Sequence, residues 1–516
     1  MSVAAVTFAG LDVGTTTTKA VLCDPAGRVL GRAERPTPLG ESDAGRLVAG
    51  ALDALAEALA GRAPAAVGVT GMAETGVPLD ADGEPCGPLL AWPDPRGAAQ
   101  AAALADRLGA AALHGTTGVR PAAKAPLARW RWLAERAPAA LAAMRGWAGA
   151  PELAVRALTG RLATEVTLAQ RTMAFDVHRR RWDAALLAEA GLDPDRLPPV
   201  LPPGRPTGGV TAGAAARVPG LRAGTPVLLA GHDHPVGAWA AGVRAPGQVA
   251  DSLGTAEAVL TLAAGPPDAA SALGQGMGFG RAVDGATWYL LAGTGSCGAL
   301  VEWAGDRLLG LPPGAERHAA LGALLAAAGP GPTGITVEPY LTGRSAPAPD
   351  LGRRLALHGL TPEDDRAQLA LAVVESTAYQ ARWMVETQAA LTGHRPEAVT
   401  LLGGPVAQPR WPRVKAAVSP WATRVLAEPH APALGAALRA AEAAGHPTPK
   451  PLPTERLAPG EEENAAAYQR RYAEAFLPLV TARSPDRAAE PAAEPAGDPA
   501  GDRTHDLPND PRQQRS

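Results

Sequence analysis

The chain has 516 residues, 46% hydrophobic and 19% charged, so it can bury sizeable cores over roughly two to four domains. Its formal net charge of -3, without a Lys/Arg block, argues against nucleic acid as the main partner. No run of about 18 apolar residues suggests a membrane span, residues 1–6 lack the basic region of a secretory signal, and Cys23, Cys86 and Cys297 form no CxxC pair, so a disulfide framework or zinc site is not expected and a reducing cytoplasm fits.

In chain order, residues 3–11 read as a β-prone run. Residues 18–23 follow as a second strand, and Asp24-Pro25-Ala26-Gly27 is a turn into a third over 28–34. Leu47, Leu52, Leu55 and Leu59 keep helical spacing, and a short strand over 66–70 ends at Gly71. Residues 98–195 are mainly helical. A strand over 226–230 runs into Gly231-His232-Asp233-His234-Pro235, with a helix from Val236. Strand-like runs at 249–251 and 257–262 bracket Leu253-Gly254-Thr255. Residues 287–292 add a strand, 367–391 a long helix, and 398–402 a strand ending at Gly403-Gly404. Leu434-Gly435-Ala436-Ala437 reads as the opening of a further helix. Strands mixed with helices predict an α/β protein. From residue 483 onward large apolar residues are almost absent, so 483–516 is expected to be a disordered tail. The expected domains are 1–245 and 246–482.

A weak internal repeat joins the two halves: each opens with a strand, an acid-containing Gly-Thr turn and a returning strand. In the first turn, Gly14 permits close approach of a ligand, and the N–H groups and hydroxyls of Thr15, Thr16 and Thr17 can surround phosphate oxygens, with Lys19 adding charge. Asp12 sits where it could hold Mg²⁺. An ordinary hairpin turn is the competing reading. The Walker pattern is absent, which disfavours a P-loop fold. Asp233 lies at the carboxyl end of a strand, where α/β folds place ligands, and could take a proton from a substrate hydroxyl. The competing reading is a helix N-cap. A metal site from His232, Asp233 and His234 is disfavoured, because adjacent residues on one extended stretch rarely point to one ion. The Gly403-Gly404 pair, followed by Gln408, lets backbone lie against a flat ring such as adenine, or is a plain strand-to-helix turn.

Taken in order, these segments resemble the FGGY carbohydrate kinases, a branch of the actin-like ATPase fold, over residues 6–480. Asp12-Val13-Gly14-Thr15-Thr16-Thr17 resembles the family's first phosphate motif, and Gly254-Thr255 its second. Val67-Gly68-Val69-Thr70-Gly71-Met72 with Glu74 resembles its sugar-binding strand end. Trp92-Pro93-Asp94-Pro95-Arg96 matches W-x-D-x-R, and Leu158-Thr159-Gly160 a helix-end L-T-G. Leu341-Thr342-Gly343-Arg344-Ser345-Ala346-Pro347 is similar to L-x-G-E-R-x-P. Gly403-Gly404 and Leu434-Gly435-Ala436-Ala437 look like the adenosine region.

The resemblance implies two actin-like (ribonuclease H-like) domains facing each other across a cleft. It implies an ATP- and Mg²⁺-dependent kinase acting on a small sugar or polyol, such as a ketose or short polyol. Asp233 would be the catalytic base and, with Asp12, would be associated with the metal. Gly14, Thr15, Thr16, Thr17, Lys19, Gly254, Thr255, Gly298, Gly403, Gly404 and Gln408 would contact ATP. Met72, Ala73, Glu74, Asp94, Arg96, His232 and His234 would line the acceptor site. The expected partners are the sugar or polyol and ATP, with no nucleic acid and no membrane; a homodimer is left open. The chain departs from the pattern in three places. Ala73 stands where glycerol kinases have Arg, His234 follows the base where Asn, Gln or Thr is usual, and Arg344-Ser345 replaces Glu-Arg. The departures at Ala73, Arg344 and Ser345 motivate one alternative, a sugar-binding regulator that has lost catalysis; likeness to other actin-like proteins suggests a second, an ATPase without a sugar acceptor.

Overall fold

The computed structural model describes residues 6–482, apart from 315, 448 and 462; the tail expected over 483–516 lies outside the described residues. The first sheet opens with β1 (Phe8–Val13), β2 (Thr17–Cys23) and β3 (Val29–Pro36). Helix α1 (Ala44–Leu59) leads to β4 (Ala66–Gly71), and β5 (Pro226–His232) joins much later in the chain. Their spatial order is β5-β4-β1-β2-β3, with the short segment Gly208–Gly209 outside β5. β1, β2 and β3 pair antiparallel, while β1, β4 and β5 run parallel. Every residue of β1 and β4 is buried, as expected of strands covered on both faces.

The second sheet contains β6 (Val249–Leu253), β7 (Glu257–Ala263), β8 (Gly278–Arg281), β9 (Trp288–Thr294), β10 (Ala398–Leu402), β11 (Ala422–Val425) and β12 (Glu455–Leu457). Its order is β8-β9-β7-β6-β10-β11-β12. The central strands β9-β7-β6-β10-β11 repeat the first sheet's plan: three antiparallel strands, then two parallel ones added on the other side of the first. The repeated Gly-Thr turns therefore mark the same topological position, the bend between the first two strands of each sheet.

Helix α2 (Asp233–Ala240) follows β5 directly, α3 (Arg366–Thr392) precedes β10, and α4 (Ala431–Ala443) follows β11. Asp365 caps α3, its Oδ1 accepting from the N–H groups of Ala367 and Gln368 at 2.8 and 3.0 Å, and Gln368 returns a bond to complete a capping box. α4 lies against the first sheet although it belongs to the second half. A Cβ added at Gly10 would sit 1.8 Å from the Ala433 carbonyl oxygen, and one at Gly68 would sit 1.9 Å from that of Ala436. Only glycine admits so close a contact between helix and strand backbones.

Several boundaries differ from the sequence expectation. β1 extends to Val13, so Asp12 is a strand residue rather than part of the turn. β5 runs on to His232, and α2 begins at Asp233 rather than Val236. α4 starts at Ala431 with Pro432 in its first turn, which places Leu434-Gly435-Ala436-Ala437 inside the helix. Among the described residues no helix is long and apolar enough to cross a membrane.

Candidate active site

Asp12 in β1 is the cross-strand partner of Lys19 in β2, so their side chains leave the sheet on one face. Asp12 is only 5% exposed, and its Oδ1 has no hydrogen-bond partner among the described residues. Burial pushes its carboxyl up to about 7; the charge of Asp233 adds to the effect and that of Lys19 opposes it. A desolvated carboxylate oxygen without a donor is costly, and a hard cation would relieve it. In the turn that follows, Thr16 is exposed and Gly14, Thr15 and Thr17 partly so. Thr15 Oγ1 accepts from Trp92 Nε1 at 2.8 Å, and the Met72 N–H donates to the Val13 carbonyl at 2.9 Å. The first Gly-Thr turn is thereby tied to both the strand end at Met72 and the W-x-D-x-R segment.

The end of β5 is shaped by an irregularity. Leu229 pairs with Val69 and Gly231 with Thr70, leaving Ala230 as an extra residue. A bulge of this kind re-aims the side chains that follow. Gly231 then adopts φ 126°, and a Cβ there would lie 2.5 Å from Thr167 Oγ1. Thr70 Oγ1 donates to the Gly231 carbonyl at 2.6 Å, and the His232 N–H donates to Thr167 Oγ1 at 2.8 Å. Strand gives way to helix between His232 and Asp233.

Asp233 is the first helical residue, and His232 holds the cap position. The Asp233 carboxylate accepts from the N–H of its own neighbour His234 at 2.7 Å and caps nothing further along the helix. The helix-cap reading therefore fails. The strand-to-helix transition also brings consecutive side chains together. His232 Nε2 is 3.2 Å from Asp233 Oδ1, the two imidazole rings meet edge to face with centroids 5.2 Å apart, and one ligand atom from each of the three residues lies within 4.8 Å of the others. The expectation that they diverge assumed an extended chain, which ends at His232.

Burial pushes the Asp233 carboxyl up to about 7, with the Glu74 charge adding to it and the bond from His234 N–H, Lys19 and Arg171 opposing. Burial drives His232 well below its usual range and His234 down to about 4, assisted by Arg171 and Lys124. Near neutral pH the carboxyl is thus flanked by two uncharged imidazoles.

Glu74 sits just past β4 with φ 66°. Its Oε1 accepts from Arg171 Nε at 3.1 Å and lies 3.4 Å from Lys124 Nζ. Burial alone would raise its pKa, but Arg171 and Lys124 outweigh it and hold the carboxyl well below the usual range. Met72 and Ala73 are buried. Asp94 and Arg96 close on each other: Arg96 Nε donates to both Asp94 oxygens at 3.0 and 2.8 Å, and Arg96 also reaches Glu41 at 2.9 Å. Arg129, fully buried, donates to the carbonyls of Glu74, Leu90, Ala91, Trp92 and Asp94 at 2.6–3.2 Å. It fixes the Trp92–Asp94 segment beside Glu74. The sequence carried no signal for Lys124, Arg129 or Arg171 beyond a cation in a helical stretch.

In the second half, the Gly254-Thr255 turn receives the start of the Gly298–Ala304 helix: the Gly298 and Ala299 N–H groups donate to the Gly254 and Thr255 carbonyls at 2.9 and 3.0 Å. Gly403, at φ 106°, presses on the same turn, since a Cβ there would lie 2.0 Å from the Leu253 carbonyl oxygen. Thr255 and Gly404 are exposed. Gln408 is buried, and its Oε1 accepts from the Arg410 and Trp411 N–H groups at 2.8 and 3.1 Å, capping the Arg410–Val418 helix. From that helix Lys415 reaches back to the strands on either side of the turn. Its Nζ is 2.8 Å from Asp251 Oδ2 and also pairs with Glu257. All three side chains are at most 4% exposed. Burial and the Asp251 charge raise Glu257 well above the carboxylate range, while the two acids keep Lys415 charged despite its burial.

The Arg344 departure has a structural explanation. The residue is 6% exposed; its Nε donates to the Ala348 carbonyl at 2.7 Å, its Nη1 to the Val480 carbonyl, and its guanidinium lies 5.2 Å from the Trp383 ring centre.

The family model for the N-terminal domain of the FGGY family of carbohydrate kinases matches residues 7–240, and that for the C-terminal domain matches residues 249–444. The xylulose kinase of Streptomyces rubiginosus is 32% identical over 442 residues, covering 84% of this chain and 87% of its own. The glycerol kinase of Aromatoleum aromaticum is 31% identical over 395 residues, covering 72% and 76%. Among solved structures, the xylulose kinase of Rhodospirillum rubrum superposes with a TM-score of 0.79 at 27% identity, covering 92% of this chain and 98% of that one.

Proposed function

Because the chain belongs to the FGGY family of carbohydrate kinases, we propose that it transfers the γ-phosphate of ATP to a hydroxyl of a small sugar or polyol, with a ketose such as xylulose or a short polyol as the first acceptors to test. The observation that carries the residue roles is the pair Asp12 and Asp233: two carboxyls, both pushed up to about 7, beside Lys19 and next to a Gly-Thr turn. Phosphoryl transfer requires positioning and charge compensation more than covalent help. The Thr15–Thr17 turn and the Gly254-Thr255 turn hold the phosphate chain from the two halves, and Lys19 offsets charge on the first side. Gly298, Gly403 and Gly404 leave room for the nucleoside.

The donor set at Asp12, an oxygen with no other partner among the described residues, fits a hard cation. Asp12, with Asp233 beside it, would hold Mg²⁺, which when bound neutralises charge on the phosphates. Asp233 takes the proton from the attacking hydroxyl. Its raised pKa makes it a stronger base than an exposed carboxylate, and His232 keeps it oriented from 3.2 Å. Glu74, Asp94, Arg96, His232 and His234 recognise acceptor hydroxyls, with Met72 and Ala73 as the buried floor. Closure of the halves excludes water and limits wasteful ATP hydrolysis.

The test is ADP release measured over a panel of ketoses, aldoses and polyols, with wild type and Asp233→Ala. One or more acceptors should stimulate release, and the variant should lose at least about 100-fold in kcat, the scale of general-base catalysis. Unchanged turnover in Asp233→Ala would remove Asp233 from the role of base. ATP hydrolysis that no acceptor stimulates would remove the sugar kinase.

A further inference from the structure

The His232-Asp233-His234 triplet offers two nitrogens and an oxygen at one point of the fold. A four-coordinate divalent ion with donors at about 2.0–2.2 Å places neighbouring donors roughly 3.3 Å apart. His232 Nε2 and Asp233 Oδ1 are already at 3.2 Å. The third donor comes from His234, which is partly exposed and whose ligand nitrogen lies within the 4.8 Å spread of the group, so that coordination requires a shift of its side chain. His232 is 5% exposed, and its Nδ1 has no partner among the described residues, so that nitrogen is available to carry the ring proton while Nε2 coordinates. The backbone behind the ligands is fixed: Thr167 holds the His232 N–H at 2.8 Å, and the His234 N–H holds Asp233 Oδ1 at 2.7 Å. Two imidazoles and one carboxylate select borderline ions such as Zn²⁺, whereas Mg²⁺ prefers oxygen donors throughout.

We propose that His232, Asp233 and His234 form a site for a borderline divalent transition-metal ion, represented by Zn²⁺, and that the ion blocks phosphoryl transfer by occupying the oxygen of Asp233 that would accept the hydroxyl proton. The inhibition rests on the reading of Asp233 as the base; the binding does not. The site shares Asp233 with the one assigned to Mg²⁺ and differs from it in the two histidines, which set its selectivity.

The experiment uses the full chain, freed of metal by chelator. Zn²⁺ is titrated calorimetrically, Co²⁺ is followed by its visible absorption, and ADP release is measured with increasing Zn²⁺ in excess Mg²⁺. The expected result is one Zn²⁺ per chain, an intense four-coordinate Co²⁺ band, and inhibition reversed by chelator. His234→Gln should weaken Zn²⁺ binding, and raise the Zn²⁺ concentration for half-inhibition, by at least about tenfold, since even outer-shell partners shift metal affinity by that much. His232→Gln should do the same where its melting temperature shows that it folds; His234, nearer the surface, decides the matter alone if it does not. Absence of stoichiometric Zn²⁺ binding would overturn the proposal. So would binding that His234→Gln leaves intact, or binding lost in Asp12→Asn but kept in His234→Gln. Zn²⁺ binding that depends on His234, in a protein no acceptor stimulates, would support the site and overturn the kinase reading instead.

Discussion

At the scale of single residues, the site depends on carboxyls whose protonation the fold has altered in opposite directions. Asp233 must be ionised to accept a proton, and its pKa is raised to about 7. With acceptor and Mg²⁺ present, kcat/KM should therefore rise with pH through about 7 and level off above it; a profile already flat from pH 5 would contradict the raised pKa. Glu74 is the reverse case, held ionised by Arg171. Both side chains are less than a tenth exposed, so Arg171→Met should leave a buried charge short of its main partner and cost about 3–5 kcal/mol of stability. Glu74→Gln combined with Arg171→Met should recover part of that loss. Thermal unfolding of the three variants checks this, and additive losses would show that the two residues do not act as a pair. Asp12 and Asp233 stood out in the sequence because each lies near a strand end within two residues of a glycine, and Glu74 only through the family resemblance. Arg171 did not, because its partner lies 97 residues away and nothing local in a helical stretch marks a buried cation.

At the scale of elements, nine of the strands were legible from their apolar runs and turns, with errors at their ends, while β8, β11 and β12, of only four, four and three residues, were missed. Asp12 was assigned to a turn and Asp233 offered as a helix cap, because polar residues usually end strands, and the helix after β5 was started at Val236. Here the flanking strands and helices bury Asp12 and His232, and tertiary packing overrides the local signal. The same packing makes Gly403 a sensitive position. An Ala there combines an unfavourable φ of 106° with a Cβ 2.0 Å from the Leu253 carbonyl, one residue before the second Gly-Thr turn. Strain of about 1–3 kcal/mol should displace that turn and raise the KM for ATP by roughly tenfold while the acceptor KM changes little. Equal changes in both KM values would argue that Gly403 serves stability alone.

At the scale of the whole molecule, α4 joins the halves by lying on the first sheet at Gly10 and Gly68. Gly10→Ala should lower the melting temperature markedly, by a cost at or above the roughly 1–3 kcal/mol of an overpacked core. Gly45→Ala in α1, with nothing within 4 Å of the added methyl, should be neutral or stabilising by about 0.5–1 kcal/mol. Similar melting temperatures for the two variants would mean that α4 is not a structural link.

The shared strand order of the two sheets has a consequence of its own. A duplicated scaffold carrying the same charge on both walls would have no built-in front or back, and a phosphate chain could lie in it either way round. The buried charges at the two turns differ: Lys415 holds two acids, Asp251 and Glu257, beside the second, whereas at the first Asp12 faces Lys19 across the strand pair and feels the charge of Asp233. That difference in charge would give a pseudo-symmetric pair of domains a polarity, with distinguishable sides for a donor and an acceptor to approach.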